Sequence, residues 1–293
     1  MMESNENRRR AIKNIFAGTA ALSTAGILSS FKMNENFQSL KGNINHSVCR
    51  WCFNEFTIEE LCQLANETGL AGIDLVGPKD WPVLQKYGLQ STMCNGAEIN
   101  LVQGWNNKKY HPVLLNNYRE MIPLLAKAGY RNLICFSGNR DGMDDESGLN
   151  NSAEGLKQIM ALAEKNKVTL VMELLNSKID HKDYQCDKTP WGVELVKRIG
   201  SDNFRLLYDI YHMQIDEGDV IRTIRDNHQY IAHYHTAGVP GRHEIDETQE
   251  LNYPAIMKAI LDTGFKGYVA QEFIPLNKDK AGSLRAAVRI CDV

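Results

Sequence analysis

The chain has 293 residues, of which 43% are hydrophobic and 24% charged, a composition typical of folded globular proteins and sufficient for one large domain. Its formal net charge is -3, and the body of the chain has no concentrated Lys/Arg stretch, so a nucleic-acid-binding surface is not expected. Seven cysteines without a repeated spacing predict no disulfide framework, and most should be buried as small hydrophobic residues.

The first 33 residues differ in character from the rest of the chain. NRRRAIK (7–13) precedes the uncharged run IFAGTAALSTAGIL (15–28), which is short for a membrane span. The pair Arg8 and Arg9 resembles a twin-arginine export signal, and an ordinary basic arm is the alternative. We therefore expect residues 1–33 to direct export to the periplasm. If the signal does not function, the protein should stay in the cytoplasm. Residues 34–45 then form a linker, and 46–293 form one domain without membrane association.

From residue 46 onward, short apolar or β-branched runs alternate with amphipathic stretches. Thr57 and Glu60 have the spacing of a capping box at the start of the first predicted helix. Further helices are predicted over 114–127, 152–167, 190–199, 219–227, 253–262 and 282–291. The predicted strands number eight: 46–53, 72–76, 90–94, 132–136, 169–173, 205–209, 230–235 and 267–272. Eight such units in about 250 residues predict an α/β fold, a closed parallel (β/α)8 TIM barrel.

The last four predicted strands each end in an ionisable residue. These residues are Glu173 in VTLVME, Asp209 in FRLLYD, His235 in YIAHYH and Glu272 in GYVAQE. The carboxyl ends of barrel strands form the active-site face, so the four side chains should meet there. Three carboxylates repel one another without a cation, and three oxygens with one imidazole suit a divalent metal ion. One such acid alone is more often a cap, but together the four predict a metal site.

Four segments carry a family resemblance over essentially all of the chain after residue 46. ELLNSK, YDIYHMQ, HYHTAGVPGRHE and QEFIP are similar to the xylose-isomerase-like barrels, and most closely to the hydroxypyruvate isomerase family. The resemblance implies that Glu173 and Glu272 also transfer protons through an enediolate, with hydroxypyruvate to tartronate semialdehyde as the named reaction. His235 stands where several hydroxypyruvate isomerases have Gln and ketose 3-epimerases have His. One imidazole favours Mn²⁺, Co²⁺ or Zn²⁺, and Mg²⁺ stays open.

Two further residues are predicted to bind substrate. The resemblance implies that His212 contacts a substrate oxygen, and the loop after strand seven can lay the Arg242 guanidinium over the site. A packed loop histidine and a surface arginine are the respective alternatives. Five other residues have both a substrate-pocket interpretation and a purely structural one: Trp105, Lys178, His181, Asp183 and Glu244.

Three alternative functions use a related barrel. A ketose 3-epimerase shares the metal and the paired glutamates, but epimerases place a further acid six residues past the first ligand, where this chain has Ile179. An exported barrel that binds a metal and a sugar without turnover would need no second glutamate. The related endonucleases use more histidines and a basic groove. The expected partner is therefore a small hydroxycarbonyl compound or sugar, and assembly into a homo-oligomer stays open.

The export signal can be tested separately from the activity. Replacing Arg8 and Arg9 together with Lys keeps the charge but removes the twin-arginine pair, so the protein should remain in the cytoplasm after cell fractionation. Purified activity should not change, since residues 1–33 contribute nothing to the predicted domain. Unchanged periplasmic recovery of the Lys variant would identify these residues as an ordinary basic arm.

Overall fold

A computed structural model describes residues 39–293, and the predicted export signal lies outside that range. Eight parallel strands close into one barrel in sequence order, with the first beside the last. The strands are β1 (Asn45–Cys49), β2 (Gly72–Val76), β3 (Gln90–Cys94), β4 (Asn132–Cys135), β5 (Thr169–Glu173), β6 (Phe204–Asp209), β7 (Ile231–Thr236) and β8 (Tyr268–Gln271). The (β/α)8 prediction is confirmed.

Helices alternate with these strands along the chain. They are α1 (Ile58–Thr68), α2 (Trp81–Lys86), α3 (His111–Lys127), α4 (Asp145–Asn166), α5 (Thr189–Ile199), α6 (Ile210–Asp216), α7 (Val220–Asn227), α8 (Tyr253–Asp262) and α9 (Lys280–Cys291). Within residues 39–293, no helix combines the length and the apolar character needed to cross a bilayer. All seven cysteines are buried and unpaired, as their irregular spacing predicts.

Two predicted elements differ from the structure by four or more residues at one end, and the other predicted elements differ by at most three. The first strand ends at Cys49, because the Arg50 guanidinium donates hydrogen bonds to the carbonyls of Phe53 and Phe56, both at 2.9 Å, and holds 50–53 in a 3-10 turn. Helix α4 begins at Asp145, seven residues before the predicted start. Asp144 caps it there by accepting a hydrogen bond from the backbone N–H of Ser147 at 2.8 Å.

Helices α2 and α6 have no counterpart among the predicted helices. Each is short, with six and seven residues, so neither gives a sustained amphipathic pattern. Helix α6 follows β6 without a loop, because Asp209 ends the strand and also caps the helix. Its Oδ1 accepts hydrogen bonds from the backbone N–H groups of Tyr211 at 2.8 Å and His212 at 3.4 Å. The chain therefore turns at the barrel mouth with Asp209 and His212 both buried there.

The side chain of Trp105 belongs to the packed core. It is fully buried, and its ring centroid lies 5.3 Å from that of Tyr118 and 5.7 Å from that of His111, both on α3. The His111 Nε2 also lies 2.8 Å from the Trp105 carbonyl oxygen. Of the two interpretations of Trp105, the structural one is therefore correct.

The capping box of α1 gives a stability prediction. Thr57 Oγ1 accepts a hydrogen bond from the backbone N–H of Glu60 at 3.2 Å, and the Glu60 carboxylate accepts from the backbone N–H of Thr57 at 2.7 Å. Thr57→Ala should lower the free energy of unfolding by about 0.5–2 kcal/mol, because it leaves one N–H of the first turn without a partner. Urea denaturation measures this. Thr57→Ser keeps the hydroxyl and should stay near wild type; equal losses in both variants would contradict the capping explanation.

Candidate active site at the barrel mouth

The four predicted metal ligands converge at the carboxyl ends of β5 to β8. Glu173 and Asp209 are the last residues of their strands, His235 is the penultimate residue of β7, and Glu272 follows β8 directly. Parallel pairing sets Asp209 opposite His235, so both point to the same face of the sheet. One ligand atom from each of the four lies within 4.8 Å of the others, and none of these residues is more than 4% exposed. Their role as metal ligands stays a prediction.

Three carboxylates in this cluster lie close to one another around a single imidazole ring. His235 Nδ1 lies 2.7 Å from Glu272 Oε2 and 3.3 Å from Glu173 Oε1. The Glu173 Oε1 atom is buried without a hydrogen-bond partner among the described residues. Burial, with the repulsion of Glu272, raises the pKa of Glu173, and burial raises the pKa of Asp209 to about 8. Carboxylates that resist ionisation so strongly call for a nearby cation, and this donor set fits a divalent ion.

Glu272 has a different environment from the other two acids. Burial opposes its ionisation, but the charges of His235 and Arg242 outweigh that and hold the pKa of Glu272 well below its usual range. Its Oε1 accepts a hydrogen bond from the Trp51 indole N–H at 2.7 Å, and its Oε2 accepts one from Arg242 at 2.5 Å. Trp51 reaches this position because the turn after β1 carries it over the barrel mouth. Trp51 is a site residue that was not predicted from the sequence.

Arg242 lies over the cluster, on the loop after β7. Its Nη2 is 2.5 Å from Glu272 Oε2 and 3.3 Å from Asp209 Oδ2. The guanidinium carbon lies 5.1 Å from the ring centroid of Trp51 and 5.3 Å from that of Tyr211, so two aromatic rings flank the charge. The structure thus brings Arg242 to the predicted place instead of leaving it on the open surface.

The Arg242 loop is fastened to the segment that follows β8. The Arg242 carbonyl accepts a hydrogen bond from the backbone N–H of Ile274 at 2.7 Å. Two residues later, the Glu244 carboxylate accepts from the backbone N–H groups of Leu276 and Asn277, both at 3.0 Å, and from the Ser283 hydroxyl at 2.9 Å. Of the two interpretations of Glu244, the structural one is therefore correct. Its carboxylate fixes the loop that carries Arg242.

His212 is fully buried in the first turn of α6 and faces the same cluster. Its Nε2 lies 3.5 Å from Asp209 Oδ2, and its Nδ1 lies 2.6 Å from the side-chain nitrogen of Asn176. Burial and the positive charge of Arg242 lower the pKa of His212 well below its usual value, which favours a neutral ring. The ring of His181 packs edge-on against it, with centroids 5.1 Å apart.

The other two polar loop residues make structural contacts. Lys178 Nζ donates a hydrogen bond to the Ile215 carbonyl at 3.1 Å, which ties the loop after β5 to α6. The Asp183 carboxylate accepts from the backbone N–H of Asp141 at 2.9 Å, which joins the same loop to the one after β4. Both contacts hold the loop in place, and neither side chain joins the four-residue cluster.

A buried aspartate beneath the cluster was not foreseen. Asp74 Oδ2 on β2 lies 3.2 Å from His235 Nε2 and 2.5 Å from His233 Nε2, while its Oδ1 accepts hydrogen bonds from the hydroxyls of Ser47 and Thr92. A carboxylate bound to one ring nitrogen keeps the proton on that nitrogen and leaves the other free for a metal. Asp74 therefore orients His235 with Nδ1 toward the glutamates. The available signal was a charged residue inside an apolar strand, GIDLV.

Comparison with known proteins finds relatives of this chain. The chain is 35% identical to 2-oxo-tetronate isomerase of Cupriavidus necator over 115 residues, which is 39% of this chain but only 44% of that protein. It is 24% identical to hydroxypyruvate isomerase of Escherichia coli over 241 residues, 78% of this chain and 93% of that one. A solved structure described as an AP endonuclease, family 2, from Brucella melitensis superposes with a TM-score of 0.73 at 25% identity, covering 82% of this chain and 97% of that chain.

The family assignment rests on a match to a family profile that spans more than two thirds of the chain. The sequence profile of the family described as xylose isomerase-like TIM barrel matches residues 81–289, which include every strand from β3 to β8 and all four residues of the cluster. The chain belongs to the xylose isomerase-like TIM barrel family.

Proposed function

We propose that the protein is a metal-dependent isomerase that moves a proton between adjacent carbons of a small hydroxy-oxo acid. Hydroxypyruvate to tartronate semialdehyde is the reaction we place first. The observation that carries the proposal is the convergence of Glu173, Asp209, His235 and Glu272 in a buried barrel mouth beneath one guanidinium. Relatives named hydroxypyruvate isomerase and 2-oxo-tetronate isomerase support the reaction type.

The donor set supports one divalent cation as cofactor. Mn²⁺, Co²⁺ or Zn²⁺ suits three carboxylates with one imidazole, and Mg²⁺, which prefers oxygen ligands, is the alternative. A divalent ion in this place supplies positive charge beside the substrate oxygens on which negative charge develops during proton transfer. The burial of all four residues keeps water away, and this strengthens such stabilisation.

Arg242 is the residue that we propose binds the substrate's carboxylate. Its planar guanidinium presents a fork of N–H donors that matches a carboxylate. The flanking rings of Trp51 and Tyr211 hold that plane, and the Ile274 hydrogen bond holds the backbone. A substrate bound in this way has its reacting carbons directed toward the glutamates.

The two glutamates differ in their freedom to accept a proton. Both Glu272 oxygens already accept hydrogen bonds, from Trp51 at one and from Arg242 at the other. Glu173 Oε1 has a weaker environment: among the described residues, His235 Nδ1 approaches it at 3.3 Å, without the geometry of a hydrogen bond. Strong hydrogen bonds stabilise a carboxylate and weaken it as a base. We therefore assign the first proton removal to Glu173 and the return of the proton to the neighbouring carbon to Glu272.

Glutamine variants test this assignment. Glu173→Gln and Glu272→Gln each keep an oxygen ligand but remove the base, so turnover of the metal-loaded protein should fall by about 10²–10⁴-fold. NMR in D₂O separates the two steps on a panel of keto acids, ketoses and aldoses. Glu173→Gln should lose deuterium exchange into substrate, whereas Glu272→Gln should retain exchange and lose net conversion.

The exposed acid Glu247 provides the matched control, since Glu247→Gln makes the same chemical change outside the cluster and should turn over normally. Full turnover in both cluster variants would reject the catalytic assignment. Inversion of one carbinol carbon without movement of the carbonyl would identify a ketose 3-epimerase instead. A ligand that binds without any deuterium exchange would favour the exported binding barrel.

Asp74 gives a prediction about the metal itself. Asp74→Asn keeps the size of the side chain but removes the negative charge that holds the proton on His235 Nε2, so the affinity for Mn²⁺ or Zn²⁺ should fall by about 10–100-fold. Calorimetric titration against a competing chelator measures this. The exposed Asp226→Asn should bind as wild type does. An unchanged affinity in a correctly folded Asp74→Asn protein would show that Asp74 does not act through His235.

A further inference from the structure

The two ring nitrogens of His212 have different surroundings. In a neutral imidazole, one nitrogen carries the proton and donates while the other accepts. Nδ1 of His212 faces the side-chain nitrogen of Asn176 at 2.6 Å. Nε2 is buried, lies 3.5 Å from Asp209 Oδ2 on the side of the cluster, and has no hydrogen-bond partner among residues 39–293. Which nitrogen carries the proton decides whether His212 offers the substrate a donor or an acceptor.

The orientation of the Asn176 amide settles that question. Its Oδ1 lies 3.0 Å from the backbone nitrogen of Ile179 and 2.9 Å from that of Asp180. Backbone N–H groups only donate, so the Asn176 atom that they meet must be the oxygen. The NH₂ group of Asn176 therefore occupies the other branch, where it lies 2.7 Å from Asp180 Oδ2 as well as 2.6 Å from His212 Nδ1. The loop after β5 thus leaves the amide no second orientation.

An NH₂ group opposite Nδ1 requires Nδ1 to accept. A proton on Nδ1 would point at the N–H bond of Asn176, which excludes both the Nδ1–H tautomer and the imidazolium ion. The proton is therefore on Nε2, the atom that faces the cluster without a partner. Asn176 and His212 are both fully buried, so water does not compete for these positions.

We propose that Asn176 is a positioning residue that locks His212 in the neutral Nε2–H form, which makes His212 a hydrogen-bond donor to the reacting oxygen of the substrate and not a base. The part that concerns substrate rests on the proposed function. A fixed neutral donor stabilises the negative charge that develops on the enediolate oxygen, and it leaves proton transfer between the carbons to Glu173 and Glu272.

The tautomer is directly measurable. Long-range ¹H–¹⁵N NMR spectra distinguish protonated from unprotonated ring nitrogens, and His212→Gln identifies the His212 signals among the eight histidines. The full-length protein, loaded with diamagnetic Zn²⁺, should show His212 with a protonated Nε2 and an unprotonated Nδ1. A protonated Nδ1 in the wild-type protein would overturn the proposal, whatever the turnover.

A pair of exchanges at positions 176 and 180 supplies the matched test. Asp180→Asn alone keeps an oxygen for the Asn176 NH₂ group, so the Nε2–H form should persist. Adding Asn176→Asp restores the net charge and the number of polar groups but places a carboxylate opposite Nδ1. A carboxylate can only accept, so the proton should move to Nδ1, and kcat should fall by about 10²–10³-fold with KM changed much less.

The outcomes separate the two proposals. A double variant that keeps the Nε2–H form would show that Asn176 does not control the tautomer. A double variant that moves the proton to Nδ1 but keeps wild-type kcat would show that His212 does not donate to the reacting oxygen. The inferred tautomer in a Zn²⁺-loaded protein that turns over none of the tested substrates would uphold the role of Asn176 and count against the proposed function alone.

Discussion

The burial of three carboxylates in one barrel mouth is the constraint on which the rest of the site depends. Carboxylates out of water are costly unless positive charge or hydrogen-bond donors surround them. Around Glu173, Asp209 and Glu272 those groups are a histidine ring, a guanidinium, an indole N–H and two backbone N–H groups at the start of α6. Each of these groups comes from a different loop or strand end. The contacts that the buried carboxylates need therefore join these segments at the barrel mouth.

That requirement also explains why the loops are so strongly tied. A guanidinium on a mobile loop would leave Glu272 and Asp209 without their partner whenever the loop opened. Glu244 and the backbone of Ile274 prevent this by joining the loop after β7 to the segment after β8. Lys178 and Asp183 do the same for the loop after β5. Residues that make no contact with the cluster thereby determine where its charges lie.

The barrel and the four strand-end residues could be predicted from the sequence, because strand alternation and strand ends are local patterns. The residues that orient these four side chains could not be predicted in this way. Asp74 is 161 positions from His235, and Trp51 is 221 positions from Glu272. No periodicity links residues so far apart, and only closure of β1 against β8 and of each strand against the next brings them together. Asn176 was visible in ELLNSK, but the direction of its amide depends on two backbone N–H groups whose positions only the folded loop defines.

The continuity of β6 and α6 has a consequence for coordination chemistry. Asp209 uses Oδ1 to cap the helix, with backbone N–H groups at 2.8 and 3.4 Å, and this leaves Oδ2 alone directed toward the cluster. If a cation binds in the cluster, Oδ2 would be the Asp209 oxygen that holds it, because the first turn of α6 occupies Oδ1. Helix capping would thus favour a monodentate Asp209, since a cation held by both oxygens would compete with the first turn of α6, which carries His212.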